Sequence, residues 1–340
     1  MVMELILHPG MPKCGSSSIQ EALIRSADKL ADNNIFVLDK YFSLSYLNGR
    51  DSKHGVPYNI IYDVLDGRVK LVNLIDDIKS YLGSIGKLEN SKIILSSELL
   101  SDINGESRLK FHKELNSLFD NVSLWIYVRA PWNQFFSNWR QGVYREGISF
   151  KTYTEKRMKE SRTRNFWGER LAEFYNIYTQ INVVAIESVG DVKEHFFKNA
   201  ICINDTYQLE KNSNPSLCPI LCDALSLNSD YFKNELLDKE YKGYRHKNQL
   251  MDELNNMEST IFSNKCTQEH IESLLNVKSF YEDEYIKFVS SSESDSLRIS
   301  KKLKAEIEKY KHCVVQDEKK DNVYAELVFD FLNIIKNKCR

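Results

Sequence analysis

The chain alternates between short apolar runs and longer segments with helical spacing. The apolar runs contain β-branched and aromatic residues, a composition that favours buried strands. The predicted strands cover residues 3–7, 33–39, 91–97, 122–128 and 181–187. Other segments have the spacing of apolar and charged residues that is typical of amphipathic helices. The predicted helices cover residues 19–30, 60–82, 150–178 and 230–288.

A small polar loop joins the first predicted strand to the first predicted helix. It reads Pro-Lys-Cys-Gly-Ser-Ser-Ser over residues 12–18. A strand, a tight loop and a helix in this order point backbone N–H groups and a helix N-terminus at one anion. Lys13 adds a full positive charge within the loop. We therefore predict a phosphate-binding loop; the alternative is that Lys13 is a solvated lysine in a short turn.

The loop differs from the Walker A motif of ATPases in the position of its lysine. Walker A has the pattern G-x-x-x-x-G-K-[ST], with the lysine directly after the second glycine. Gly10 and Gly15 have this separation and Ser17 occupies the hydroxyl position, but Ser16 stands where the lysine belongs. A P-loop kinase also needs an aspartate on a strand for Mg²⁺, and no apolar strand ends in a convincing one. A kinase is therefore an alternative that the residues disfavour.

A second phosphate-binding pattern follows the predicted strand 122–128. Arg129 stands at the carboxyl end of this strand, and Pro131 is placed to open a helix. Ser137 follows Arg129 by eight residues. Ligands of open α/β sheets bind outside the carboxyl ends of the strands, and a guanidinium fork with a hydroxyl suits a phosphate dianion there. The alternative is an arginine that pairs with a carboxylate and a serine that faces solvent.

Together these two patterns resemble the PAPS-dependent sulfotransferases, whose donor is 3′-phosphoadenosine 5′-phosphosulfate (PAPS). The Pro-Lys-x-Gly-Ser-Ser pattern is similar to their 5′-phosphosulfate loop, and the spacing of Arg129 and Ser137 is similar to their 3′-phosphate site. The resemblance covers roughly residues 3–288 and favours the glycan-sulfating and bacterial branch. It implies a P-loop-type, three-layer α/β fold with a parallel sheet of about five strands. The donor would lie across the strand ends.

The resemblance also implies a role for each residue of these motifs. Lys13 would neutralise the bridging oxygen as it leaves, and the backbone N–H groups of residues 14–18 would hold the 5′-phosphate. Cys14 replaces a more common Thr or Ser, which is tolerable at a position that contributes mainly its backbone N–H. The predicted donor-binding residues are Pro12, Lys13, Cys14, Gly15, Ser16, Ser17, Ser18, Arg129 and Ser137. No metal is expected, because a sulfuryl group carries less charge than a γ-phosphoryl group.

A carboxylate directly follows the predicted strand 91–97. Glu98 stands at the ligand side of the sheet, which is a natural place for a general base. Many glycan sulfotransferases use a glutamate in this part of the chain, so the resemblance implies that Glu98 is the base. The alternative is that Glu98 caps the next helix or pairs with a nearby cation.

Composition fits an intracellular enzyme. The 340 residues are 42% hydrophobic and 28% charged, with a formal net charge of −2. A chain of this length can bury a sizeable core, and its near-neutral charge gives no reason to expect nucleic-acid or anionic-membrane binding. Seven scattered cysteines without zinc spacing favour free thiols in a reducing compartment. No signal peptide or membrane span is predicted, so we expect a bacterial, cytoplasmic protein.

Two domains are predicted: a sulfotransferase domain over residues 1–288 and a helical C-terminal extension of unassigned role over residues 289–340. The acceptor is open between a glycan, a nucleotide-linked sugar and a small metabolite, with a glycan favoured. Six basic residues after the second motif would suit an anionic acceptor, or they form a solvated helix face. They are Lys156, Arg157, Lys159, Arg162, Arg164 and Arg170. A non-catalytic nucleotide- or glycan-binding scaffold is the remaining alternative.

Overall fold

The computed structural model describes residues 3–39, 41–47, 58–101, 106–161, 163–164, 166–203, 219–227 and 266–291. The chain divides into two compact units. The first contains the described residues of 3–129, 167–203 and 287–291, and the second contains those of 130–166, 219–227 and 266–286. Of the predictions above, Arg162, most of the helical segment 230–288 and the extension beyond 291 lie outside the described residues.

A five-stranded, all-parallel sheet forms the centre of the first unit. Its strands are β1 (Glu4–Pro9), β2 (Ile35–Val37), β3 (Lys92–Ser97), β4 (Asn121–Val128) and β5 (Gln180–Ala185). They lie in the order β2-β3-β1-β4-β5, and each neighbouring pair is parallel. β1 and β3 are buried along almost their whole length, as expected where helices cover both faces of a parallel sheet. The five predicted strands and the parallel sheet are confirmed.

The order of the strands brings the two motif-bearing ends side by side. β1 pairs with β3 on one side and with β4 on the other. The chain leaves β1 towards β2 and leaves β4 towards β5, which lie on opposite sides of this pair. Neighbouring strands whose connections diverge in this way form the crevice where open α/β sheets bind ligands. The crevice therefore lies at the carboxyl ends of β1 and β4.

Eleven α-helices are seen among the described residues. In chain order they are α1 (Ser16–Arg25), α2 (Ala27–Asp32), α3 (Tyr58–Leu65), α4 (Leu71–Ser84), α5 (Glu106–Ser117), α6 (Pro131–Glu146), α7 (Phe150–Glu160), α8 (Phe166–Ile177), α9 (Val192–Phe196), α10 (Pro219–Leu227) and α11 (Gln268–Ser290). Three predicted helices are each interrupted. The segment 19–30 is α1 and α2, 60–82 is α3 and α4, and 150–178 is α7 and α8.

Aromatic packing around His270 forms the core of the second unit. The His270 ring lies 5.2 Å from that of Trp139 and 6.1 Å from that of Phe150. The Nδ1 of His270 accepts a hydrogen bond from the backbone N–H of Thr267. The backbone N–H of His270 in turn donates to the Thr267 hydroxyl. This is a capping box with histidine in the third helical position. His270 Nε2 also lies 2.9 Å from the Asp223 carboxylate, which ties α10 to the start of α11.

Two further features bear on the predictions from composition. Among the helices that the structure describes, none combines the length and the apolar character needed to cross a bilayer. The cysteines within the described ranges are not joined in disulfides; they are Cys14, Cys202, Cys222 and Cys266.

Candidate functional site

The loop between β1 and α1 is held in a conformation that few residues adopt. Lys13 has a φ of 62° and Gly15 a φ of 84°, both in the left-handed region. Left-handed residues at alternate positions turn successive N–H groups towards one side of the chain, which forms an anion-binding concavity. Gly15 is also the residue that precedes α1, and α1 has no side-chain cap. The loop thus leaves the N-terminus of a ten-residue helix to interact with a ligand.

Neither glycine of the loop leaves room for a larger side chain. A Cβ on Gly10 would lie 2.7 Å from the Cβ of Ser16 and 2.9 Å from the Cγ of Glu98. A Cβ on Gly15 would lie 2.7 Å from a methyl carbon of Val192. These contacts show that the loop packs directly against the Glu98 side chain on one side and against the start of α9 on the other.

Hydrogen bonds within the loop narrow the set of groups that can hold an anion. The Cys14 N–H donates to Met11 O at 3.2 Å, and the Ser18 N–H donates to Gly15 O at 3.1 Å. Two of the five predicted phosphate-binding N–H groups, those of Cys14 and Ser18, thus already have acceptors within the loop, and the donor-binding role of residues 14–18 stays a prediction. By helix geometry the first-turn N–H groups of Ser16 and Ser17 have no intrahelical acceptor. These two, with Gly15, are the N–H groups that can bind an anion.

The side chains of the loop divide into inner and outer groups. The Ser16 hydroxyl is buried and donates to Met11 O at 3.1 Å, and the buried Cys14 thiol donates to Pro12 O at 3.4 Å. These two side chains brace the loop. Pro12 is exposed, whereas Lys13, Ser17 and Ser18 are half-buried at its rim.

Glu98 lies against the loop between β1 and α1. It begins the 3₁₀ turn Glu98–Ser101, directly after β3, and Gly10 N–H donates to Ser97 O at 3.1 Å. Burial raises the pKa of the Glu98 carboxyl, and the nearby Lys13 ammonium opposes this rise. The Leu99 N–H at this turn is capped by the Ser97 hydroxyl at 3.3 Å. Glu98 is thus a half-buried carboxylate beside Lys13.

Arg129 lies on the other side of the loop, immediately after β4. Its Nη1 makes a long hydrogen bond of 3.5 Å to Lys13 O. Its Nε is buried and has no hydrogen-bond partner within the described part of the chain. Its carbonyl accepts a hydrogen bond of 2.7 Å from Trp167 Nε1, at the start of α8. The backbone of Arg129 is therefore held firmly while its guanidinium retains donor capacity beside the loop.

Ser137 belongs to the second unit, whereas the rest of the predicted site belongs to the first. It lies in the second turn of α6, and its side chain is buried. The predicted helix start at Pro131 is confirmed. The structure thus places Lys13, Glu98 and Arg129 around one loop and Ser137 on the helix that follows Arg129 in the chain.

Two charged residues near the loop were not assigned to it from the sequence. The pKa of the Cys14 thiol is raised mainly by burial; the charge of Arg129 lowers it, those of Glu187 and Glu98 raise it, and that of Arg170 lowers it. Glu187 is buried in the 3₁₀ turn Ile186–Ser188, directly after β5. In the sequence Glu187 is the last residue of the predicted strand 181–187, so the signal used for Glu98, a carboxylate just past a strand end, did not single it out.

Comparisons with known proteins do not assign the chain to a family. No protein-family model, no curated protein and no solved structure matches the chain.

Proposed function

We propose that this chain is a sulfotransferase with a P-loop-type fold that transfers the sulfuryl group of PAPS to an acceptor hydroxyl or amine. One observation carries the proposal: the left-handed loop after β1 brings Lys13 beside Glu98 and Arg129, at the crevice of a parallel sheet. A cation, a carboxylate and a helix N-terminus at one point suit transfer from an anionic donor to a hydroxyl that must lose its proton.

The loop would bind the 5′-phosphosulfate end of the donor. The N–H groups of Gly15, Ser16 and Ser17 would donate to the 5′-phosphate, where the partial positive charge of α1 is greatest. Lys13 would stabilise the negative charge that develops on the bridging oxygen as the S–O bond breaks. Arg129 would bind the 3′-phosphate through its guanidinium.

Glu98 would accept the proton of the attacking hydroxyl. The acceptor oxygen forms a bond to sulfur while the bond from sulfur to the phosphate oxygen breaks, and adenosine 3′,5′-bisphosphate leaves. A carboxyl whose pKa is raised by burial is a stronger base, once ionised, than an exposed one, and the neighbouring Lys13 ammonium favours the ionised form.

A calorimetric titration separates this proposal from its two alternatives. We expect adenosine 3′,5′-bisphosphate to bind the protein tightly and ATP with Mg²⁺ to bind weakly. A preference for ATP with Mg²⁺ would instead support a kinase. Binding of the bisphosphate without turnover of PAPS in the presence of mixed glycan acceptors would support a non-catalytic scaffold.

A further inference from the structure

Arg170 is connected to the loop between β1 and α1 by a short chain of contacts. Trp167 and Arg170 are three residues apart on α8, and the guanidinium carbon of Arg170 lies 5.8 Å from the centre of the Trp167 ring. The buried Trp167 in turn donates through Nε1 to the carbonyl of Arg129, and Arg129 donates to the carbonyl of Lys13. Three cations of the first unit are thereby linked through named contacts.

The three cations differ in their depth. Lys13 and Arg129 are half-buried, and the Nε of Arg129 is buried. Arg170 is exposed, although its charge still acts on the buried Cys14 thiol, more weakly than that of Arg129. Lys13 and Arg129 are therefore the inner pair, suited to the donor. Arg170 is the most exposed of the three, so its guanidinium is the one in contact with solvent.

The other described basic residues of the predicted acceptor segment belong to the second unit; they are Lys156, Arg157, Lys159 and Arg164. Arg157 donates to Glu160 at 3.0 Å and stacks on Tyr153, and Arg164 stacks on Phe280. Arg170 is thus the described member of this segment that the contacts tie to the loop. The acceptor role of the six basic residues stays a prediction, and Arg170 is the member that belongs to the first unit.

We propose that Arg170 is a specificity-determining residue that selects an acceptor with an anionic group, a carboxylate or a phosphate, close to the hydroxyl that is sulfated. This inference rests on the proposed function. A guanidinium held by stacking on Trp167 loses little freedom when it forms a bidentate pair with such a group. Because Arg170 is exposed, we expect a moderate selectivity of about tenfold rather than an absolute requirement.

The experiment measures sulfuryl transfer from ³⁵S-labelled PAPS to three sets of oligosaccharides, prepared from a neutral glucan, a polyuronate and a phosphorylated mannan. The wild-type protein should favour an acidic set, and the uronate and phosphate arms identify which anion is recognised. Arg170→Gln should lower the ratio of kcat/KM between the preferred acidic set and the neutral set by about tenfold. Arg170→Lys should keep most of that ratio, and Arg170→Glu should reverse it.

The matched control is Arg25→Gln, which removes an exposed arginine at the far end of α1 from the loop. This control should leave the acidic-to-neutral ratio unchanged. An unchanged ratio in Arg170→Gln, or no labelling of either acidic set by wild-type protein, would overturn the inference. So would a loss of affinity for adenosine 3′,5′-bisphosphate in Arg170→Gln, since Arg170 would then contact the donor. Failure of the wild-type protein to bind the bisphosphate would instead contradict the proposed function itself.

Discussion

At the scale of single residues, the candidate site separates side chains that build the loop from those that can act on a ligand. Ser16 and Cys14 point inward and donate to carbonyls of the loop. Lys13, Glu98 and Arg129 surround it with charge. The sequence predicted these three residues because each stands directly after a strand or inside the strand–helix loop. It could not show that the N–H groups of Cys14 and Ser18 are already used.

Lys13→Ala tests the role of the loop lysine in turnover. We expect kcat to fall by about a hundredfold or more, because a charge aimed at the leaving oxygen acts mainly in the transition state. Affinity for adenosine 3′,5′-bisphosphate should fall much less. Steady-state kinetics and calorimetry give both values, and Lys29→Ala on the exposed side of α2 is the control. Equal losses in kcat and in binding would reduce Lys13 to a general phosphate contact.

Glu98→Gln tests the proposed base. The substitution keeps the shape of the side chain but removes its ability to accept a proton, so kcat should fall by about a hundredfold. In the wild-type protein kcat should rise with pH as Glu98 ionises, at a pH above the usual range for glutamate because its pKa is raised. That rise should be missing in Glu98→Gln and present in the exposed control Glu89→Gln. Unchanged turnover with bound PAPS would remove Glu98 from this role.

At the scale of elements, the sequence predicted every strand of the sheet but merged neighbouring helices. The apolar face of the first helix continues through Ala27 and Leu30, so its spacing does not reveal that α1 ends at Arg25 and that the chain turns at Ser26. By contrast, a glycine in the sequence indicates the break between α3 and α4. Gly67 has a φ of 73° after the end of α3, which is the usual way for a glycine to stop a helix.

Gly15→Ala tests whether the loop conformation is fixed by space as well as by backbone angle. The new Cβ would meet Val192 at 2.7 Å and would force a left-handed conformation on alanine. We expect the free energy of unfolding to fall by about 2–3 kcal/mol. Urea denaturation followed by circular dichroism measures this change.

Gly86→Ala supplies the matched control for the backbone angle alone. Gly86 has a φ of 68°, but no atom in the described part of the chain lies within 4 Å of a Cβ built there. Its substitution should cost about 1 kcal/mol. Adding Val192→Ala to Gly15→Ala should recover part of the difference, as a double-mutant cycle detects. Equal losses at the two glycines would contradict the packing of this loop against α9.

At the scale of the whole molecule, the site depends on charges from distant parts of the chain. Arg129, Glu187 and Arg170 all act on Cys14, although at least a hundred residues separate each from the loop in sequence. Arg129 and Glu187 come together because both follow parallel strands, which end at the same edge of the sheet, whereas Arg170 is supplied by α8. The sequence alone could not show that Glu187 joins this group, since strand order decides which ends are neighbours.

Two buried histidines should make the stability of the fold depend on pH. Burial lowers the pKa of His8 to about 3 and that of His112 to about 4. The unfolded chain therefore binds protons first as the pH falls below about 6.5, and the folded state loses stability. Each histidine should cost about 1.4 kcal/mol per pH unit down to its own folded pKa. Urea unfolding at pH 7, 6 and 5 measures the slope.

The variant His112→Gln isolates one of these contributions. It removes a titrating group whose Nδ1 lies 2.7 Å from the Tyr178 hydroxyl, so it should lower stability at pH 7 but flatten the loss below pH 6. A slope identical to that of the wild-type protein would show that His112 gains its proton without unfolding.

The most direct test of the central claim is the coupling between Arg129 and the 3′-phosphate of the donor. Adenosine 3′,5′-bisphosphate and adenosine 5′-phosphate differ only in that group. Calorimetry of both ligands with wild-type protein and with Arg129→Ala therefore gives the four affinities of a thermodynamic cycle, from which the coupling is calculated. We predict that the wild-type protein prefers the bisphosphate by about a hundredfold and that Arg129→Ala loses most of this preference. Equal affinity of the wild-type protein for the two nucleotides, or the same preference in both proteins, would contradict the account.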